Sequence, residues 1–456
     1  MSNPNQNSQL GTAPMGKLML KMAVPAVVAQ VVNLLYNIVD RIYIGQGING
    51  TALTGVGLCM PLMMFMNAFA MLAGSGGAPR AAIAMGRGDR NEASKIMSNS
   101  MTLLLLFAAG ITTVYLLFAE PMLNLFGASS DTLPYAMEYT NIISLGTVFT
   151  LTVMGMNPYL TTQGFSNIAM VTTVLGAVIN IILDPIFIFG LGMGVSGAAL
   201  ATVLSQAVGA MWVLLFLTKN KKSLLKITPA DMKLERRIVG GTLALGISGF
   251  VMIATESLLS ISFNSSLQRY GGDLAVGSMT ILTSCAQLAQ MPVSGIAQGC
   301  QPIVSFNYGA GNRERVKQCF RLQLLAAAGY TTLFWLASML VPRFFVQLFN
   351  KDAALVAHTV WAMRIYMAGI FSLGFQLTCQ QSFVALGQAK ISLLMACLRK
   401  LILLIPLIFL LPLFFENKVF AVFLAEPVSD IIAAAVTTGS FFARFDKILT
   451  RGPEQG

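Results

Sequence analysis

The chain has 456 residues, 55% of them hydrophobic and only 10% charged, with a mean hydropathy of +0.72. Ordinary soluble domains carry roughly a quarter of their residues as charges, so this composition excludes a soluble globular protein and points to a polytopic membrane protein. The formal charge of +11 suggests nucleic acid at first sight, but its distribution along the chain excludes that partner.

A span needs about 20 apolar residues, and the hydropathy pattern predicts twelve. They fall near 17–44, 52–77, 96–119, 135–157, 165–190, 194–217, 238–267, 275–298, 318–341, 355–384, 390–413 and 417–442. The polar start, residues 1–16, runs directly into a first span too long for a signal-peptide core, so no cleavable signal is expected. Of the 29 Lys and Arg, 21 lie in the termini and the even-numbered loops, whereas only Arg41, Arg269, Arg343, Lys351 and Lys418 fall on the opposite side. The positive-inside rule therefore predicts an even number of spans with both termini cytoplasmic. Such a protein belongs in a bacterial-type inner membrane, surrounded by lipid.

In span one, Gln30, Asn33, Asn37 and Asp40 recur at spacings that place them on one helical face, with Tyr36 a turn before Asp40 and Pro25 earlier in the same span. Such a stripe does not face lipid. Interhelical hydrogen bonding explains the amides as readily as a cavity does. A carboxyl group at bilayer depth costs several kcal/mol on insertion scales, so Asp40 reads as a functional acid, although Arg41 next door is a candidate ion-pair partner. Span five carries the second acid, Asp184, with Asn180 one turn before it and Pro185 directly after it. Asn157 in span four and Thr202 with Gln206 in span six supply further polar groups for a shared pocket. Two carboxylates in one low-dielectric pocket are not both cheaply ionised, which is the basis of a proton-coupling device. The same oxygens also suit Na⁺.

Shifting the sequence by 223 residues superposes Gly76-Gly-Ala-Pro79 on Gly299-Cys-Gln-Pro302 and Gly86-Arg-Gly88-Asp89-Arg90 on Gly309-Ala-Gly311-Asn312-Arg313. The same shift pairs Leu125-Phe126 with Leu348-Phe349 and Gly164 with Gly387. One constant offset over residues 76 to 164 indicates a duplicated chain. Halves of six spans each are parallel repeats about an axis along the membrane normal, the plan of alternating-access transporters. The expected fold is therefore all-α, with twelve transmembrane helices in two pseudo-symmetric six-helix bundles. Its divisions are a polar tail over 1–16, a first lobe over 17–217, a basic cytoplasmic linker over 218–237, a second lobe over 238–442 and a C-terminal tail over 443–456.

In the second lobe, Glu256 in span seven is the best candidate for a buried acid, and Gln287 and Gln376, with Gln290 and Gln380, either line a cavity or pair with each other. Arg399 and Lys400 in span eleven, with Glu426 and Asp430 in span twelve, read as opposite charges neutralising one another between adjacent helices. Arg364 in span ten has no obvious partner. His358, the only histidine, falls near an outer helix end, so a histidine proton relay is not expected. The six cysteines are scattered without C-x-x-C pairing, so neither a metal centre nor any other cofactor is implied. Nothing in the chain matches a nucleophile motif or a phosphate-binding loop, which argues against a membrane enzyme.

Asn180-Ile-Ile-Leu-Asp184-Pro185-Ile-Phe-Ile-Phe-Gly190, Gly197-Ala-Ala-Leu-Ala-Thr202, the Gly86-x-Gly88-Asp89 loop, Arg399 seven residues before Pro406, and Pro427-Val-Ser-Asp430 together resemble the multidrug and toxic compound extrusion (MATE) transporters. The resemblance covers essentially the whole chain and is nearest to the branch of the staphylococcal multidrug exporter and the DNA-damage-inducible F type. It implies export of amphipathic organic cations in exchange for H⁺, favoured here over Na⁺, by a monomer. It also implies that Asp40 and Asp184 carry the coupling ion, with Tyr36, Asn180, Thr202, Asn157 and Tyr139 around them, and that Pro25 matches a proline at which the first helix bends on protonation. Glu256 matches an acid used in another branch, but the span-ten carboxylate of that branch has no counterpart in residues 361 to 383. A major facilitator transporter shares the 6+6 plan but not the Asn180–Gly190 segment. A flippase for a lipid-linked precursor, or a dedicated exporter of a cellular metabolite, is the alternative function.

Overall fold

A computed structural model describes residues 9–453. Among the described residues, eleven helices are long and apolar enough to cross a membrane. They are α1 (Met15–Gly47), α2 (Gly50–Arg87), α3 (Arg90–Leu125), α4 (Leu133–Thr162), α5 (Ser166–Gly190), α6 (Gly194–Lys219), the 74-residue stretch Arg236–Gly309, and, after it, Arg313–Leu340, Ala353–Ala385, Ala389–Leu413 and Lys418–Arg451. A straight helix of 74 residues would be about 110 Å long, several times a bilayer. The stretch instead breaks at Gly272, whose φ of 62° and ψ of −161° are open to glycine alone. Its two ends pack side by side on α2: a Cβ at Gly76 would meet the Thr242 carbonyl, and one at Gly309 would meet the Ile83 carbonyl. It therefore folds back as α7 (236–271) and α8 (273–309), giving twelve spans, and the last four helices are α9 to α12 in chain order.

Helix α1 shows why these segments sit as they do. Val24, Val28, Val31, Leu35, Ile38 and Ile42 are all exposed and recur every three or four residues, forming a lipid-facing stripe. Gln30, Asn33, Tyr36 and Asp40 lie on the opposite side of the same helix.

The duplication inferred from sequence has a structural counterpart in the way the halves meet. Gly86 of α2 packs against the Phe306 carbonyl of α8, and Gly309 of α8 packs against the Ile83 carbonyl of α2. Gly76 meets Gly246, and Gly299 meets Ala23. Each pair maps onto its mate by the 223-residue offset, so the lobes touch through a self-complementary interface about a pseudo-twofold axis. Gly88 and Gly311, and Gly164 and Gly387, are likewise equivalent, and all four end helices at positive φ. These close contacts lie at the end of the bundle that carries the Arg80–Lys95 and Arg313–Arg321 basic clusters, called here the basic end. One apolar core runs through the first lobe and across this end into the second, while a separate core fills the remainder of the second lobe.

Hydropathy understates the helices at the basic end. Helix α2 continues to Arg87, α8 to Gly309 and α12 to Arg451, so residues 443–451 prolong the last helix. The charges that end a hydropathy window do not end a helix, because they are paired: Lys317 Nζ lies 2.8 Å from Asp446 Oδ1, and the Arg313 guanidinium donates to the Thr450 carbonyl over 3.2 Å. Residues 218–237, the link between the lobes, are fastened to the first lobe. Gln163 Oε1 accepts from the Leu224 and Leu225 amides at 2.7 and 3.0 Å. Asn99 donates to the Asp231 and Lys233 carbonyls and accepts from the Glu235 amide. Leu225 is fully buried beneath this strap.

Candidate functional site

Helix α5 brings Asn180 and Asp184 one above the other, both fully buried. Pro185 cannot donate to the carbonyl four residues before it, and the backbone answers with a wider helical turn over Ile186–Gly190, where the Leu191 amide bonds the Ile186 carbonyl at 2.9 Å. Asp184 thus lies only about 9 Å of helix from the end of α5 that is remote from the basic end. Thr202 of α6 and Tyr139 of α4 are buried at matching depth.

Asn180 Nδ2 donates to Asp184 Oδ1 and to Thr202 Oγ1, each over 3.3 Å, tying α5 to α6. The Tyr36 hydroxyl hydrogen-bonds the Thr202 side chain, which ties α1 to α6. The Asp40 and Asp184 carboxyl groups are in hydrogen-bonding contact with each other, and the Tyr139 ring lies beside both. Four helices thus converge on one carboxyl pair. Two buried oxygens of the cluster, Asp184 Oδ2 and Asn180 Oδ1, are reached by no amide or hydroxyl donor among the described residues.

The other first-lobe residues are spread more widely. Asn157 donates to the Ala169 carbonyl over 3.2 Å, fifteen residues from Asp184 along α5, so it joins α4 to α5 about 22 Å of helix away from the carboxyl pair. Gln206 is half-buried one turn beyond Thr202, and Asn33 half-buried one turn before Tyr36. Pro25 is buried near the basic end of α1, and the Asn37 side chain lies outside the described residues. Gln30 reaches across to the second lobe, its Nε2 3.2 Å from Gln298 Oε1. Hydropathy gave no signal for Cys59, whose Sγ lies 3.2 Å from Thr140 Oγ1 beside Tyr139, because it reads as one more apolar residue.

The second lobe holds a different cluster in the equivalent space. Arg399 of α11 binds two acids of α12 at once, Asp430 through Nε at 2.6 Å and Glu426 through Nη2 at 3.0 Å. Lys400 does not join them. It turns to α7, where it donates to the Met252 carbonyl over 2.7 Å and pairs with Glu256. Glu256 is accordingly not the buried acid expected from the sequence: its side chain is 48% exposed, and its charge is answered by a buried lysine. The residues around Arg399 adopt a wider turn over Leu398–Leu404, ahead of Pro406, as α5 does beside Pro185. Tyr366 of α10 is buried near Glu426 and Asp430. Gln376 is buried in α10 and Gln380 donates to the Met252 sulfur, whereas Gln287 is exposed on α8. Arg364 is exposed on α10, and His358 contacts Ser278 at 2.8 Å.

A twelve-helix bundle of two repeated lobes, with a carboxyl pair between helices of one lobe, Asp184 buried and Asp40 half-buried, defines a class: polytopic transporters built by duplication. The family model for MatE matches residues 25–186 and again 249–410, once in each lobe, and the chain belongs to this family. It is 24% identical over 419 residues to the multidrug export protein MepA of Staphylococcus haemolyticus, covering 91% of this chain and 92% of that one. MepA of Staphylococcus aureus is 22% identical over 426 residues, covering 93% and 94%. Among solved structures, the fold is similar to that of MATE in the bent conformation, with a TM-score of 0.92, 24% identity and 99% of each chain covered. It is also similar to the outward-facing conformation of a multidrug resistance MATE family transporter, with a TM-score of 0.90, 25% identity and 97% and 98% covered.

Proposed function

We propose that this protein is a proton-coupled antiporter that exports amphipathic organic cations by alternating access, with Asp40 and Asp184 as the coupling site. One observation carries the reading: the buried Asp184 carboxyl group meets that of the half-buried Asp40 directly, and among the described residues no amide or hydroxyl donor reaches Asp184 Oδ2 or Asn180 Oδ1. Carboxyl groups in contact need a proton or a cation between them, because two bare charges at that separation repel strongly in a low dielectric. Their direct contact favours a proton over Na⁺, which would have to stand between them with several oxygen ligands.

The basic end is cytoplasmic on this reading, by the positive-inside rule. The lobes are closed there, and the carboxyl pair sits toward the opposite, outer half. Protons entering from outside neutralise the pair and weaken the hold on a cationic substrate, which leaves. After the lobes rock, protons depart to the cytoplasm and the restored negative charge attracts the next substrate. Linkage requires the two ligands to oppose each other's binding. Tyr36, Asn180, Thr202 and Tyr139 hold the carboxyl groups in place. The protein acts as a monomer, since each chain contains a complete pocket.

Transport of ethidium, a permanently charged amphipathic dye, in proteoliposomes under separately imposed pH and sodium gradients tests the proposal. Transport driven by the pH gradient and insensitive to sodium is expected. Transport driven by sodium alone reassigns the ion, and an Asp184→Asn variant that transports at the unmodified rate removes the site.

A further inference from the structure

At the basic end two arginines reach across the lobe boundary, and they do so reciprocally. Arg80, on α2 of the first lobe, donates through Nη1 to the Ile238 carbonyl over 2.7 Å and to Thr242 Oγ1 over 3.2 Å, both in the first turns of α7. Gly241 makes room for it: a Cβ there would lie 2.4 Å from the guanidinium carbon. Arg315, on α9 of the second lobe, donates through Nη2 to the Ala13 and Leu10 carbonyls over 2.8 and 3.2 Å, just ahead of α1. Asn307 joins the same grip. Its Nδ2 donates to the Leu10 carbonyl over 2.9 Å, and its Oδ1 accepts from Arg315 Nε over 3.1 Å. Leu10 itself is 2% exposed, seated in the core that crosses the basic end.

Each arginine thus holds the backbone at the start of the other lobe's first helix. The gripped segments correspond closely under the repeat, since Ile238 is equivalent to Met15, two residues after Ala13. Neither arginine is explained by the first-lobe pocket, which lies at the far end of the bundle. Helix α1 links the two places. Its beginning is seated on the second lobe through Gly299 against Ala23, Gly295 against Val27 and the Gln30–Gln298 bond, while its far end brings Tyr36 and Asp40 into the first-lobe site.

We propose that Arg80 and Arg315 are paired latches that hold the lobes shut at the basic end and are released when that end opens. The proposal rests on the alternating-access reading but not on the identity of the coupling ion. Charge-assisted bonds to backbone carbonyls suit the purpose, being stronger than neutral ones while leaving groups that water can solvate once the lobes part. Because both latches restrain one rigid-body opening, weakening either raises the population of the same open state.

That shared consequence separates a latch from a local staple. Amide hydrogen exchange on the full chain in detergent, without substrate or gradient, is followed in the unmodified protein and in Arg80→Ala and Arg315→Ala. Exchange is expected to rise at least tenfold in the segment each arginine touches and also in the segment it does not touch. Arg80→Ala exposes residues 9–23 and 299–309, and Arg315→Ala exposes 236–246. Arg80→Gln and Arg315→Gln, which keep a donor, show the same pattern more weakly and serve where an alanine variant does not fold. Exchange confined to the touched segment in each case overturns the latch. Ethidium transport by Asp184→Asn remains the separate test of the coupling site.

Discussion

The costliest residues in this chain are its buried charges, and the two lobes answer them in opposite ways. In the first lobe Asp184 is neighboured by another acid and by neutral groups. In the second, Arg399 and Lys400 are built in as counter-cations. Replacing Arg399 with Met strands Glu426 and Asp430, both buried, and is expected to cost about 3–5 kcal/mol of stability. Lys400→Met is milder, about 1 kcal/mol, because the half-exposed Glu256 stays solvated. Thermal unfolding in detergent checks both. A further variant that combines Arg399→Met with Glu426→Gln and Asp430→Asn should regain most of the loss, since what destabilises is the uncompensated charge. At this scale the sequence was partly transparent. Asn180 and Asp184 are one turn apart on a single helix, so periodicity alone pairs them. The partition of Arg399 and Lys400 between α12 and α7 was hidden, because neighbouring residues are aimed by the wider turn over Leu398–Leu404, which hydropathy does not register.

Between elements, glycines decide how closely helices approach. A Cβ at Gly86 would fall 2.0 Å from the Phe306 carbonyl oxygen, and one at Gly309 would fall 2.1 Å from that of Ile83. Backbone cannot yield as a side-chain tip does, so Gly86→Ala and Gly309→Ala should each destabilise by about 1–3 kcal/mol, and by similar amounts because the two contacts are repeats of one another. Gly110→Ala, where nothing lies within 4 Å, should be neutral or slightly stabilising in the same melting measurement. The strap over 218–237 makes a different prediction: Gln163→Ala removes three hydrogen bonds that fasten residues 223–225. Trypsin should then cleave at Lys221 and Lys222 about tenfold faster, as expected for a segment whose local opening has become easier. Matched Gly, Pro and Arg positions made the repeat and its contact glycines visible in the sequence. The docking of the strap was not visible, because it depends on Gln163 and Asn99, two amides among many, meeting backbone more than sixty residues distant.

Taken as a whole, the molecule is a symmetric scaffold carrying asymmetric chemistry. Fold and closure at the basic end follow the repeat, whereas the carboxyl pair belongs to one lobe and the ion-paired cluster to the other. If Asp40 and Asp184 share a single coupling proton, removing either carboxylate disables the same unit and removing both does little further harm. Asp40→Asn, Asp184→Asn and the double variant should therefore lower the initial rate of pH-driven ethidium transport by nearly equal factors, each at least tenfold. Glu256→Gln lies in the other lobe and touches neither carboxyl group, so its effect, whatever its size alone, should multiply with that of Asp184→Asn in the combined variant. Rates that multiply for the Asp40 and Asp184 pair would mean two independent ion sites. A symmetric result for Glu256 and Asp184, each masking the other, would mean that coupling is distributed over both lobes.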